Sequence, residues 1–99
     1  MRYMFYNASS FDQNIGGWDV SALTDAENMF VNAQLSTTNY DALLVGWDAQ
    51  NLLNGVDFDG GNSTYCNGQA ARDNMINNDS WTIADGGLDC ASLLAEDFV

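Results

Sequence analysis

Residues 4–33 read MFYNASSFDQNIGGWDVSALTDAENMFVNA, and the stretch states one motif twice. Met4-Phe5-x-Asn7-Ala8 returns as Met29-Phe30-x-Asn32-Ala33, a period of 25 residues. That period falls in the leucine-rich-repeat window of about 20–29 residues. The pattern L-x-x-L-x-L-x-x-L is met in full by Ile15, Trp18, Val20 and Leu23. It returns over Leu53, Val56 and Phe58 with Gly61 in the last place, and over Trp81, Ile83 and Gly86 with Asn78 in the first. Each centre alternates apolar and polar side chains, the period-2 signature of a short half-buried strand. The spacing predicts strands at about 18–20, 56–58 and 81–83.

Helix signals lie between them. Thr24-x-x-Glu27 has the form of a capping box, and Ala26, Met29, Phe30 and Ala33 follow at i, i+3, i+4 and i+7. A second helix is predicted over 38–50, opening at Thr38-x-x-Asp41 with Tyr40, Leu43, Leu44 and Trp47 as its apolar stripe. A third is predicted over 68–77, with Asn67 as N-cap and Ala71, Met75 and Ile76 inward. These Met and aromatic positions read as core.

Strands joined by helices at this spacing are parallel neighbours wound in a right-handed coil. The expected fold is therefore α/β: a right-handed leucine-rich-repeat-like solenoid fragment with short parallel strands, helices and a C-terminal cap. Residues 1–34 read as repeats and residues 35–90 as the capping segment. Residues 91–99, ASLLAEDFV, read as a linker or tail. The first turn enters in mid-repeat, so further repeats are expected N-terminal to it.

Composition bounds the function. Fourteen acidic residues face two basic ones, Arg2 and Arg72, and the net charge is −12 with no His. Phosphate backbones and anionic membrane surfaces would be repelled, so no nucleic acid is expected as a partner. No apolar run approaches the roughly 20 residues of a membrane-spanning helix. Without His, neither a Ser-His-Asp nor a Cys-His catalytic site can be built. Asp, Asn and Gly are abundant, which suits a chain of many tight corners. The two cysteines, Cys66 and Cys90, read as a disulfide closing a loop of about 25 residues, worth roughly 3 kcal/mol and implying an oxidising compartment.

The repeat closely resembles that of the BspA-like leucine-rich-repeat surface proteins of bacteria, roughly MF-x-x-A-x-x-F-N-Q-D-I-x-x-W-D-V-S-N-V-T-x-M. Matching positions are Met4, Phe5, Ala8, Phe11, Gln13, Ile15, Trp18, Asp19, Val20, Ser21 and Thr24. The later stretch, from LSTTNYDALLVGWDAQNL to WTIADGGLDC, is similar to the closing segment of such arrays in Bacteroidetes. The resemblance implies a secreted or cell-surface protein, in some members an adhesin, with no shared catalytic residues. Ala26 departs from the repeat where Met or Ser is usual. Leu35 departs where another Phe-Asn-Gln would continue the array.

If there is a binding face, it is the outward side of the strand ladder: Asp19 and Ser21, Asp57 and Asp59, Thr82 and Ala84. An extracellular protein with a basic patch, or a polysaccharide held through a bridging cation, is the expected partner. The stretch DFDGGNS also offers Asp57, Asp59 and Asn62 or Ser63 as oxygen ligands for a weak calcium site. Against this stands the plainer reading of Asp59-Gly60-Gly61 and Asp85-Gly86-Gly87 as equivalent turns. No other cofactor is expected. The sequence thus favours non-enzymatic binding or adhesion, with a structural cap as the alternative and a hydrolase built on paired aspartates a distant third.

Overall fold

Soon after the second Met-Phe motif, Ser36 opens the first helix. The computed structural model describes residues 4–90. Arg2 and the expected tail at 91–99 lie outside the described residues. Helix α1 spans Thr37–Asp48, and the Ser36 hydroxyl accepts from the Asn39 N–H at 3.2 Å. Its predicted stripe is realised in full: Tyr40, Leu43, Leu44 and Trp47 are all completely buried. The start differs from the expected Thr38 box, and Asp41 turns away to another element.

Strand β1 (Asp57–Asp59) is followed by β2 (Thr64–Tyr65), helix α2 (Gln69–Asn78), β3 (Thr82–Ala84) and β4 (Gly87–Leu88). Strands β1 and β3 pair in parallel, with Asp57 opposite Thr82, Phe58 opposite Ile83 and Asp59 opposite Ala84. The predicted 25-residue offset between these strands is the observed register, although each strand sits one residue later than expected. Strands β2 and β4 form a second parallel pair, which the repeat pattern does not announce. The described chain is thus a small α/β unit of two helices and short parallel strands.

Two expected elements are absent among the described residues. Residues 24–33 are not a helix but a run of turns, in which Met29 N–H reaches Ala26 O and Ala33 N–H reaches Phe30 O. Asn28 and Asn32 take φ of 58° and 60°, left-handed values that a continuing α-helix does not contain. Ala26 meanwhile donates to Asp57 O at 2.9 Å and accepts from Asp59 N–H at 3.3 Å, making a parallel bridge to Phe58. Successive turns bring every third or fourth residue inward as a helix does, so Ala26, Met29, Phe30 and Ala33 are buried either way.

Nor is there a strand at 18–20. The Gln50 side chain does the pairing instead, accepting from Val20 N–H at 2.8 Å and donating to Trp18 O at 2.6 Å.

The motif that repeats in sequence stacks in space. Phe5 lies on Phe30 with ring centroids 5.1 Å apart and planes 12° from parallel. Asn32 Nδ2 donates to Asn7 Oδ1 at 2.8 Å across the 25-residue offset. Both asparagines have φ of 60°, a conformation their short polar side chains tolerate. Phe5 N–H reaches Met29 O, Phe30 N–H reaches Asp59 O, and Gly60 N–H reaches Ala84 O, so each layer donates to the one after it.

One apolar cluster runs from Ile15 to Trp81, and residues on both sides of position 34 share it. Trp47 Nε1 donates to Ile15 O and Trp81 Nε1 to Leu53 O, so the large indoles are buried without orphaned donors.

The expected disulfide is present: Cys66 and Cys90 are joined, with their Cα atoms 4.9 Å apart.

Candidate functional site

The β1–β3 pair places alternate side chains on opposite faces. Phe58 points inward and is 2% exposed, while Asp57, Asp59, Thr82 and Ala84 line the outward side. The bridge at Ala26 sets Glu27 beside them. Together with Phe58 these residues bound an open hollow of about 230 Å³. Four of the predicted face residues are therefore neighbours in fact, and the in-register pairs Asp57–Thr82 and Asp59–Ala84 account for it.

Asp19 and Ser21 do not join them. Asp19 Oδ1 accepts from Ser21 N–H at 3.0 Å and from Ser21 Oγ at 2.7 Å, closing a local turn. The Ser21 hydroxyl and then its backbone N–H hold the Asp19 carboxyl below its ordinary range. Neither residue lines the hollow, because the segment expected to be their strand is clamped by Gln50 and the ladder position goes to Ala26. Glu27 is a rim residue that the sequence does not single out, since the Thr24-x-x-Glu27 pattern assigns it to a capping box. The Asp25 carboxylate instead accepts from Glu27 N–H at 2.9 Å, and the chain turns.

Of the residues offered as calcium ligands, Asp57 and Asp59 share the rim of the hollow. Asp59 Oδ1 accepts from Gly61 N–H at 2.8 Å, which is the geometry of the plain turn at Asp59-Gly60-Gly61. Asn62 does not line the hollow, and its backbone N–H is bonded to Ala33 O. Among the described residues no three His, Cys, Asp or Glu side chains converge as a metal-ion site.

The basic side chain of the described chain, Arg72, is largely buried. Its Nε donates to Asp85 Oδ2 at 2.8 Å and its guanidinium lies 4.8 Å from the centre of the Tyr65 ring. Tyr40 Oη donates to the same Asp85 oxygen at 2.6 Å, and Arg72 Nη2 reaches Ile83 O. Burial opposes the charge on Arg72, but the Asp85 hydrogen bond and charge prevail and raise its pKa. Burial, and then the Asp85 charge, push the Tyr40 phenol well above its ordinary value of 10.0. The group ties α1, α2 and the end of β3 together. Among the described residues, the Arg72 guanidinium is engaged with Asp85 and Ile83 O and does not line the hollow.

A family model described as "Mycoplasma protein of unknown function, DUF285" matches residues 1–60 of the 99. The chain belongs to this family. The match takes in the stacked turns, α1, and the Glu27, Asp57 and Asp59 side of the hollow; α2, β3 and the disulfide lie beyond it. No curated protein and no solved structure matches the chain.

Proposed function

We propose that this chain is a non-catalytic, extracellular repeat module that binds a basic patch on an extracellular protein, or a polysaccharide, through the outward face of β1 and β3. The observation that carries the reading is the open hollow that Glu27, Asp57, Asp59 and Thr82 line together with Ala84 and Phe58. A net charge of −12 steers cationic partners towards such a face. The stacked Phe5–Phe30 and Asn7–Asn32 pairs support a right-handed leucine-rich-repeat-like stack of the BspA-like surface kind. The disulfide suits secretion or display at the cell surface. The absence of His from the sequence and the openness of the Asp57–Asp59 face argue for binding rather than hydrolysis.

The test is binding of the oxidised chain to an array of matrix proteins and glycans. A saturable hit should weaken by about fivefold or more in Asp57→Asn with Asp59→Asn, a loss in keeping with removing rim charges. Asp73→Asn with Asp19→Asn makes the same change in net charge away from the face, and should leave binding unaltered. Equal loss in both pairs would reduce the interaction to bulk charge and sink the site.

A second reading, a purely structural cap, draws on one specific contact: Arg72 Nη2 bonded to Ile83 O at the edge of β3. An array without hits would favour it.

A further inference from the structure

The apolar core ends with β3. Ile83 is the last described residue packed against the main cluster, and Asp85 is the last side chain anchored deep inside, 2% exposed against Arg72 and Tyr40. The segment 86–90 contributes no member to that cluster, and its Leu88 is 53% exposed. The chain leaves the anchor through Gly86 and Gly87, the latter at φ of 93°, a backbone state that glycine adopts at no steric cost.

Backbone contacts hold this segment to β2: Gly86 N–H to Ser63 O at 2.7 Å, Asp89 N–H to Tyr65 O at 2.8 Å, and the Thr64–Gly87 and Tyr65–Leu88 pairs. Tyr65 anchors β2 in the core, but β4 brings no buried apolar side chain to the pair, and so short a pairing is marginal in water. The covalent tie is Cys66–Cys90, immediately after the last paired residue of β2 and two residues after β4. Neither cysteine is fully buried, so the bond lies near the surface.

We infer that the Cys66–Cys90 disulfide is a redox-operated clasp: its reduction releases residues 86–90 as a strap while the core, from the stacked turns to β3, stays folded. The reductant is an external dithiol. It attacks one sulfur through a mixed disulfide, its second thiol displaces that sulfur, and it leaves as a cyclic disulfide. Cys66 and Cys90 each gain one electron and one proton. With the clasp open, β4 no longer sits at β2 by covalent confinement, and Ser63 O and Tyr65 O become free acceptors at a strand edge. Gly86 and Gly87 supply the hinge, with Asp85 as its fixed side.

Hydrogen exchange of the whole chain, read by mass spectrometry before and after reduction with dithiothreitol, tests this. Exchange across residues 86–90 should rise by about tenfold or more, the mark of a sub-global opening, while α1 and the amides of Ala26, Phe30, Asp59 and Thr82 change less than about twofold. Cys66→Ser with Cys90→Ser should give the same pattern without reductant. Loss of protection across α1 and β1 in either sample would make the bond a global staple and overturn the clasp. Unchanged protection at 86–90 would overturn it equally, by showing that the backbone pairing suffices.

Discussion

Asp41 has the look of a carboxylate at the start of its own helix, yet the helix it initiates is α2. Its Oδ1 accepts from Cys66 N–H and Gly68 N–H, both at 2.9 Å, and its Oδ2 from Asn67 N–H at 3.0 Å. Gly68, the N-cap of α2, has no capping side chain, so a residue of α1 supplies the acceptor from across the fold. Asp41→Ala leaves three N–H groups without that partner in a largely buried place, and should cost about 3 kcal/mol. Urea unfolding followed by tryptophan fluorescence will measure it.

Gly46 carries a comparable burden by being small. A Cβ there would stand 2.1 Å from Gly16 O and 2.7 Å from Gly16 C, because α1 lies backbone to backbone against the Gly16 turn. In an exposed helix, glycine to alanine gains about 1 kcal/mol. Here overpacking reverses the sign, and Gly46→Ala should lower stability by about 1–2 kcal/mol in the same assay.

At the scale of elements, the apolar stripe of α1 and the alternation of β1 and β3 are legible in the sequence, whereas of the inward set expected for α2 only Met75 is buried, Ala71 packs partly against the core and Ile76 does not join it. Tyr40, Leu43, Leu44 and Trp47 share a buried face along α1, as their spacing predicts. Ala26, Met29, Phe30 and Ala33 are ambiguous, because a run of turns buries the same set. Asn28 and Asn32 carry the deciding signal, since asparagine is among the few residues that take a positive φ readily.

The outward carboxylates Asp57 and Asp59 are legible from alternation. Glu27 is not, since its place depends on Ala26 bridging to Phe58 rather than continuing a helix. The strand expected at 18–20 fails for a related reason: Trp18 and Val20 show strand-like alternation, but no sequence pattern announces that a side-chain amide will be their partner. Gln50→Ala removes that amide and leaves Val20 N–H and Trp18 O without it. The expected loss is about 1–2 kcal/mol, read by urea unfolding. If Trp18 packs without the clamp, stability will be unchanged, and the amide will have been dispensable.

Over the whole molecule, ionisation links these local ties to pH. Asp12 joins the start of α1 to the loop before it, accepting from Asn39 Nδ2 and from Ser36 N–H, each at 2.8 Å. The Asn39 side chain and then the Ser36 backbone hold its carboxyl below the ordinary 3.8. A depressed carboxylate contributes stability that is present above its unfolded pKa and is lost as pH falls through the folded one. Asp12 is exposed, so the contribution is screened to about 0.5–1 kcal/mol. The gap between the wild type and Asp12→Asn should therefore be constant at neutral pH and close below 3.8.

Tyr40 has the opposite sign. Its phenol is neutral and its pKa is raised, so its contribution is complete below 10.0 and is lost as pH rises towards the folded value. Tyr40→Phe cannot ionise and should flatten the alkaline limb of the stability curve, while losing the hydrogen bond to Asp85 at every pH. With no histidine in the chain, nothing of that type titrates between the two limbs. Urea midpoints taken across both limbs for the wild type and the two variants will separate these contributions. An alkaline limb that survives in Tyr40→Phe would place the high-pH transition elsewhere than at the Tyr40–Asp85–Arg72 group.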